Sequence, residues 1–275
     1  MALGGGVFTT QNKVLPGSYI NFVSAARASA ALSERGVAAV PLLLDWGPTS
    51  TVFSVTNEEF QKDSLKIFGY DYGDDKLRPL RELFRHIRLG RFFRLNSGGQ
   101  RATSVYATAK YPGTRGNDIT IVIENSAGGP GLFDVSTVMA GRVVDEQNVD
   151  DAAALNANDY VEFIGGATLE PTAGTPLSGG TTVSVINADY QNFLYHIESY
   201  AFNVLCCPSD NDTIKAQFVA FTKRLRDEVG SKFQTVIHQA QDADYEGVVS
   251  VKNNDFPELV YWVTGALAGA AVNES

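Results

Sequence analysis

Only three imidazoles are available to this chain, His86, His196 and His238, and they stand far apart. His238, at a strand end with Asp242 and Asp244 nearby in sequence, is the one pairing to look at for general acid–base chemistry. The run Asp242-x-Asp244-x-Glu246-Gly247 also imitates the opening of a calcium loop. Its closing position, where such a loop needs a bidentate carboxylate, holds Asn253, and the segment runs on into a strand. It therefore reads as solvated carboxylates or as a cap on a neighbouring helix. The two thiols, Cys206 and Cys207, are adjacent. Their α-carbons lie about 3.8 Å apart across a trans peptide, short of the roughly 4.4 Å that an unstrained disulfide needs. Buried free thiols in a reducing compartment are expected. The sequence has no phosphate-binding G-x-x-x-x-G-K-[ST] loop, no H-E-x-x-H helix and no G-x-S-x-G elbow. We assign it no catalytic residue, no metal ligand and no cofactor-binding residue.

Charge is the next source of chemistry. Lys76, Arg78, Arg81, Arg85, Arg88, Arg91, Arg94 and Arg101 fall in one segment, with Glu82 as its sole acid. In a helix Arg81, Arg85 and Arg88 share a face, which suits either a solvated surface or a contact with an acidic surface of another subunit. The chain as a whole carries a formal charge of −9, so nucleic acid is not its expected partner. Nor is membrane insertion expected. The longest apolar run, Leu259 to Val272, contains Thr264 and falls short of the roughly 20 residues a span requires. Its Gly265-x-x-x-Gly269 spacing then marks a close-packed soluble helix. Met1 to Gly6 lacks a basic start and an apolar core, so no secretory signal is read there and cytosolic synthesis is expected.

The elements that must position these groups are set by pattern. Residues 1–22, with Gly4-Gly5-Gly6 and Pro16-Gly17, read as an extended arm that needs another sheet edge to pack on. An Ala-rich helix is expected from Ser24 to Gly36, then a buried strand over Val37–Leu44, with Pro41 arguing against a central place in its sheet. Helices come next from Asn57, as N-cap, to Ile67 and from Leu77 to Leu89, and then a strand at Phe92-Phe93. From Gly98 the texture becomes β, with strands at Val105–Ala107 and Ile119–Ile123, closed by a linker at Pro171, Pro176 and Gly179-Gly180. Helical spacing returns over Ala188–Ser199. A strand at Phe202–Leu205 leads to a helix capped by Asp212 and ended at Gly230. Strands at Thr235–Ile237 and Gly247–Val251 and a small-residue helix finish the chain. The fold class is thus α/β with an inserted, mainly β part: an arm at 1–22, an α/β domain from 23–97 and 184–275, and a β domain at 98–183.

One stretch is specific beyond pattern. Ala109-Lys110-Tyr111-Pro112-Gly113-Thr114-Arg115-Gly116-Asn117-Asp118-Ile119 resembles the motif that opens the β domain of contractile phage tail sheath proteins. Leu15–Phe22 resembles that family's N-terminal arm, Leu44-Asp45-Trp46-Gly47-Pro48 its first turn, and Asp242–Val248 a loop and strand of its α/β domain. The likeness covers essentially the whole chain, in the order found in sheaths of phages and prophages of Gram-positive hosts. Read physically, Pro112-Gly113 and Gly116-Asn117 supply two tight turns with positive φ.

The resemblance implies a structural subunit that stacks as six-membered rings around a tail tube and shortens on injection, with no chemistry of its own. Its implied partners are other sheath subunits, the tail tube protein, and baseplate and tail terminator proteins. The implied location is the virion tail, after synthesis in the host cytoplasm. Sheath subunits of this type continue past the position of Val272–Ser275, so this chain is expected to be truncated and to be monomeric or weakly associated. The alternative is an α/β small-molecule-binding protein or enzyme with a cleft at the strand C-termini near Cys206, Asp210 and His238.

Overall fold

In the computed structural model, residues 35–240, 244–254 and 258–270 are described. The expected arm at 1–22, the Ala-rich helix up to Glu34, Asp242 and the final residues 271–275 lie outside them.

Every residue of strand β1, Val37–Leu42, is apolar and buried, as a strand covered on both faces requires. Around it forms a six-stranded sheet in the order β12-β11-β10-β1-β3-β2. The other members are β2 (Val52–Thr56), β3 (Leu89–Arg94), β10 (Val204–Cys207), β11 (Gln234–His238) and β12 (Val248–Val251). All pairings are parallel except that of β2 with β3. Pro41 therefore sits in an interior strand after all. Val37 and its odd-numbered neighbours point their backbone groups toward β10, where Val37 bonds Asn203. The β10 ladder ends at Ala39, so the N–H that Pro41 lacks falls beyond it.

Side-chain alternation divides this sheet into two cores. Ala38, Val40, Phe92, Val204, Cys206 and Val236 face a layer of α1 (Asn57–Phe68), α2 (Arg78–Phe84) and α5 (Glu258–Gly269). Ala39, Phe93, Leu205, Cys207 and Ile237 face α3 (Asn187–Ile197) and α4 (Asp212–Arg224). Adjacent cysteines thus enter opposite cores, both as buried free thiols. Burial pushes the Cys207 thiol up to about 12 and that of Cys206 further still. The Gly265 and Gly269 of α5 lie against α2 and the turn after it. A Cβ at either would overlap the carbonyl oxygen of Leu83 or His86. That pattern is a helix-packing seam, and among the described residues no helix is long and apolar enough to cross a membrane.

Between β3 and α3 the chain builds a separate β core. Strands β5 (Ile119–Asn125), β6 (Phe133–Met139), β7 (Arg142–Val149) and β9 (Thr172–Pro176) form a four-stranded antiparallel sheet in the order β7-β6-β5-β9. A two-stranded sheet of β4 (Ala107–Ala109) and β8 (Val161–Phe163) accompanies it. Ile119, Ile121 and Ile123 alternate inward with Val135 and Met139 of the neighbouring strand. The β6–β7 hairpin closes through Ala140 and Gly141, both at positive φ, as a two-residue turn between twisted strands demands.

Several expectations are corrected. Helix α1 is capped by Thr56, not Asn57: its hydroxyl accepts from Glu59 N at 3.2 Å while Glu59 bonds back to Thr56 N at 2.7 Å. Asn57 instead donates to the Phe84 carbonyl at 3.1 Å. Asn211, not Asp212, caps α4, accepting from Thr213 N at 2.9 Å. Helix α2 ends at Phe84, so Arg85 and Arg88 do not continue a face begun by Arg81. Val105 is exposed and precedes its strand, and Thr172–Pro176 is strand β9 rather than linker.

Candidate functional site

The C-terminal ends of β10 and β11 gather the polar groups nearest to a chemical site. His238 Nδ1 lies 2.9 Å from Asp210 Oδ1, and Nε2 lies 2.8 Å from the Asn253 carbonyl oxygen. Neutral imidazole can donate to one of these acceptors; imidazolium donates to both. The carboxylate beside His238 therefore comes from the loop after β10, 28 residues away in sequence. Asp210 also takes the Nζ of Lys215, whose side chain is nearly buried, at 2.8 Å. These two hydrogen bonds, from Lys215 first and His238 second, hold the Asp210 carboxyl below its ordinary range. The calcium-loop residues go elsewhere: Glu246 pairs with Arg226 at 2.6 Å, and Gly247 packs on the Arg226 side chain. Among the described residues no group of three or more His, Cys, Asp or Glu side chains is placed to hold a metal ion. The arrangement ties three loops together and spends its polar atoms on one another.

A second constellation joins the six-stranded layer to the β segment. Trp46, on the loop after β1, is fully buried in the β core rather than its own. It meets Tyr111 edge-on at 5.3 Å and stacks near Tyr160 at 6.3 Å, while its Nε1 donates to the Lys66 carbonyl at 3.0 Å. Beside it Arg94 Nη1 donates to the carbonyls of Gly47 at 3.1 Å and Pro112 at 2.7 Å. Burial lowers the Arg94 pKa to about 10, opposed by the nearby Asp45 carboxylate. Asp45 accepts from Tyr70 at 2.9 Å and Lys76 at 3.0 Å. Its burial works against ionisation, yet these donors bring its carboxyl below the usual range.

From the other side, Arg115 Nε donates to the Gly69 carbonyl at 2.6 Å, and its guanidinium covers the Tyr70 ring at 4.5 Å. Gly113, at φ +136°, admits the Asp45 carbonyl where a Cβ would overlap it. Gly116 and Asn117 do not take positive φ; they lie in a 3₁₀ turn over Thr114–Asp118. Asn117 instead clamps the loop after β9, donating to the Gly180 carbonyl at 3.0 Å and accepting from Gly180 N at 2.8 Å. Tyr111 to Arg115 thus forms one half of a clasp between the two cores.

Comparison with known proteins matches this arrangement along its length. Three family models align in succession: Gp18 domain III N-terminal region over residues 35–88, the phage tail sheath protein beta-sandwich domain over 96–183, and the phage tail sheath protein central domain over 184–275. The phage-like element PBSX protein XkdK of Bacillus subtilis (strain 168) is 37% identical over 99% of this chain and 65% of its own length. The chain belongs to the phage tail sheath family. A sheath tail protein of Desulfitobacterium hafniense superposes with a TM-score of 0.81 at 41% identity, covering 94% of this chain and 64% of that one. One from Listeria innocua gives 0.75 at 34% identity, covering 86% and 57%. The chain therefore spans about two-thirds of the length of the curated relatives it matches.

In this sheath-family chain the motif that carried the resemblance is the clasp itself, since Pro112, Gly113 and Arg115 each make a contact across it, while Asn117 ties the β segment to its own far end. Most of the basic segment is also spent internally. Arg81 donates to the carbonyls of Tyr72 and Asp74, both at 2.6 Å; Arg91 donates to Ser54 at 2.6 Å, and Arg101 pairs with Glu162 at 2.8 Å. Arg85 pairs with Glu82 at 2.9 Å, and its side chain remains largely exposed. Sequence reading missed Arg94 as a joining group, and it set Asp210 and His238 at one cleft without pairing them; Asp242 lies outside the described residues. No local pattern marks these contacts, because the partners come from distant loops.

Proposed function

We propose that this chain is the structural subunit of a contractile tail sheath, polymerising as stacked six-subunit rings around a tail tube and shortening to drive the tube through a target envelope. It performs no chemistry in this reading, and it uses no catalytic, cofactor or metal residue. Its partners are other sheath subunits, the tube protein, and baseplate and terminator proteins, and its place is the virion tail after assembly in the host cytoplasm. We divide it into an arm at 1–22, an α/β domain from 23–97 and 184–275, and an inserted β domain at 98–183.

The observation that carries the reading is the run of three sheath family models in order across one continuous fold. The clasp supports it, because a subunit that passes force along a filament needs its parts held in one orientation. Of the candidates of the ligand-binding alternative, Cys206 is fully buried, while Asp210 and His238 bond each other at 2.9 Å.

A protein extended to the full length of the relatives, produced with its tube protein and viewed by negative-stain microscopy, should form striated cylinders. Dispersed particles under all conditions would refute the sheath role. The 275-residue chain alone is expected to sediment as a monomer or weak oligomer, and a stable hexamer would overturn that expectation.

A further inference from the structure

We propose that Arg94 sets the orientation of the β segment on the six-stranded layer, acting as a positioning residue whose guanidinium pins one carbonyl from each side. Arg94 is the last residue of β3, next to the stretch where the chain crosses toward the β segment. One acceptor, Gly47, belongs to the loop between β1 and β2; the other, Pro112, belongs to the β segment.

The guanidinium is fully buried, and its Nε and Nη2 make no hydrogen bond among the described residues. A buried cation with idle donors is poorly explained by stability. An apolar side chain of similar volume would remove the cation's desolvation cost while leaving two carbonyls without their donor, so the two effects oppose one another in stability. What an apolar side chain cannot do is fix two carbonyls at a set angle, which a planar guanidinium does. The surroundings are shaped for this: a Cβ on Gly113 would overlap the Asp45 carbonyl and come within 3.1 Å of Arg94 Nη2.

Arg115 adds one directed link from the other side, Nε to the Gly69 carbonyl at 2.6 Å, against a single acceptor rather than one from each part; the remaining links across the junction differ in kind. Trp46 supplies buried area and ring contacts with Tyr111 and Tyr160 but no hydrogen bond across the junction, its Nε1 donating to Lys66 on its own side. Lys66–Asp159 and Arg142–Asp71 are ion pairs with about half of each side chain exposed, so they hold weakly. The two chain crossings are laced together, Gln100 N donating to Thr181 Oγ1 at 2.9 Å and Thr181 N to the Gln100 carbonyl at 3.1 Å. That lacing keeps the parts joined but leaves their mutual angle to the groups around Arg94.

The test is a pulsed-EPR distance measurement on the 275-residue chain, with spin labels at Asn192→Cys on α3 and Glu146→Cys on β7. Both positions are exposed, while Cys206 and Cys207 are buried and stay unlabelled. With Arg94 intact a single narrow distance peak is expected. Arg94→Met should lose that peak to a broad or split distribution while keeping a cooperative thermal transition near the parent midpoint. Arg94→Lys, which keeps the charge but not the fork, should broaden likewise, and the double variant Asp71→Asn, Asp159→Asn should keep the narrow peak. The proposal is overturned if both Arg94 variants keep the narrow peak or if the ion-pair variant broadens as much as Arg94→Met. Loss of the cooperative transition in Arg94→Met would overturn it too, by making Arg94 a stabilising group instead.

Discussion

Two seams hold this molecule together, and they are built on opposite principles. Where α5 meets α2, the fit depends on what is missing: Gly265 and Gly269 let backbone lie against the carbonyls of Leu83 and His86, with Val260 and Ala268 fully buried alongside. Where the six-stranded layer meets the β segment, the fit depends on what projects: Trp46, Arg94 and Arg115 reach across and find specific acceptors or rings. The first seam is broken by adding atoms and the second by deleting them. Secure packing and set orientation are therefore separable properties of one chain, each written in different residues.

Deletion at the second seam should produce the largest effect. Trp46→Ala empties the large side chain that the layer lends to the β core, and should cost about 3–5 kcal/mol in urea unfolding. Addition at the first seam comes next. Gly265→Ala places a methyl on the Leu83 carbonyl and should cost about 1–3 kcal/mol, whereas the same change at exposed Gly73, where a Cβ meets nothing within 4 Å, should leave the unfolding midpoint nearly unmoved. If both glycines respond alike, packing does not distinguish the seam.

Acid should weaken the second seam selectively. Hydrogen bonds from Lys66 first lower the Asp159 carboxyl, and those from Lys76 and Tyr70, against burial, lower that of Asp45. Groups depressed in the folded state contribute stability that is fully present above the ordinary carboxylate range and lost as pH falls through their folded values. Urea midpoints measured downward from neutral pH should drop in that window, and Asp45→Asn should flatten the drop. The smallest effect belongs to the exposed rim. Asp159→Asn should cost under about 1 kcal/mol, a difference that fades near 1 M salt, where the screening length is about 3 Å.

Sequence reading recovers the first seam better than the second, for a physical reason. Gly265-x-x-x-Gly269 and the apolar run of β1 are local patterns whose period states the face they bury. Caps failed by one residue at Thr56 and Asn211, since a hydroxyl or amide one position earlier reaches the same amides. The two turns expected at Gly113 and Gly116 are half right. Only Gly113 needs positive φ; at Gly116 an added Cβ would come within 3.1 Å of the Cβ atoms of Ala102 and Ala109. The motif announces a family through its residue types, yet its task as a clasp becomes legible only with Asp45, Gly69 and Arg94 in place.

One consequence of the sheet order concerns how the chain folds. Val37 bonds Asn203 across 166 residues of sequence, and the whole β segment is synthesised between them. The antiparallel hairpins of that segment are local and can close within microseconds, while the parallel pairing of β1 with β10 must wait for a long loop to close. Strand β1 thus leaves the ribosome well before one of its two neighbours exists. Its fully apolar run, Val37 to Leu42, is then the segment of the nascent chain most in need of chaperone cover or of swift translation through β10.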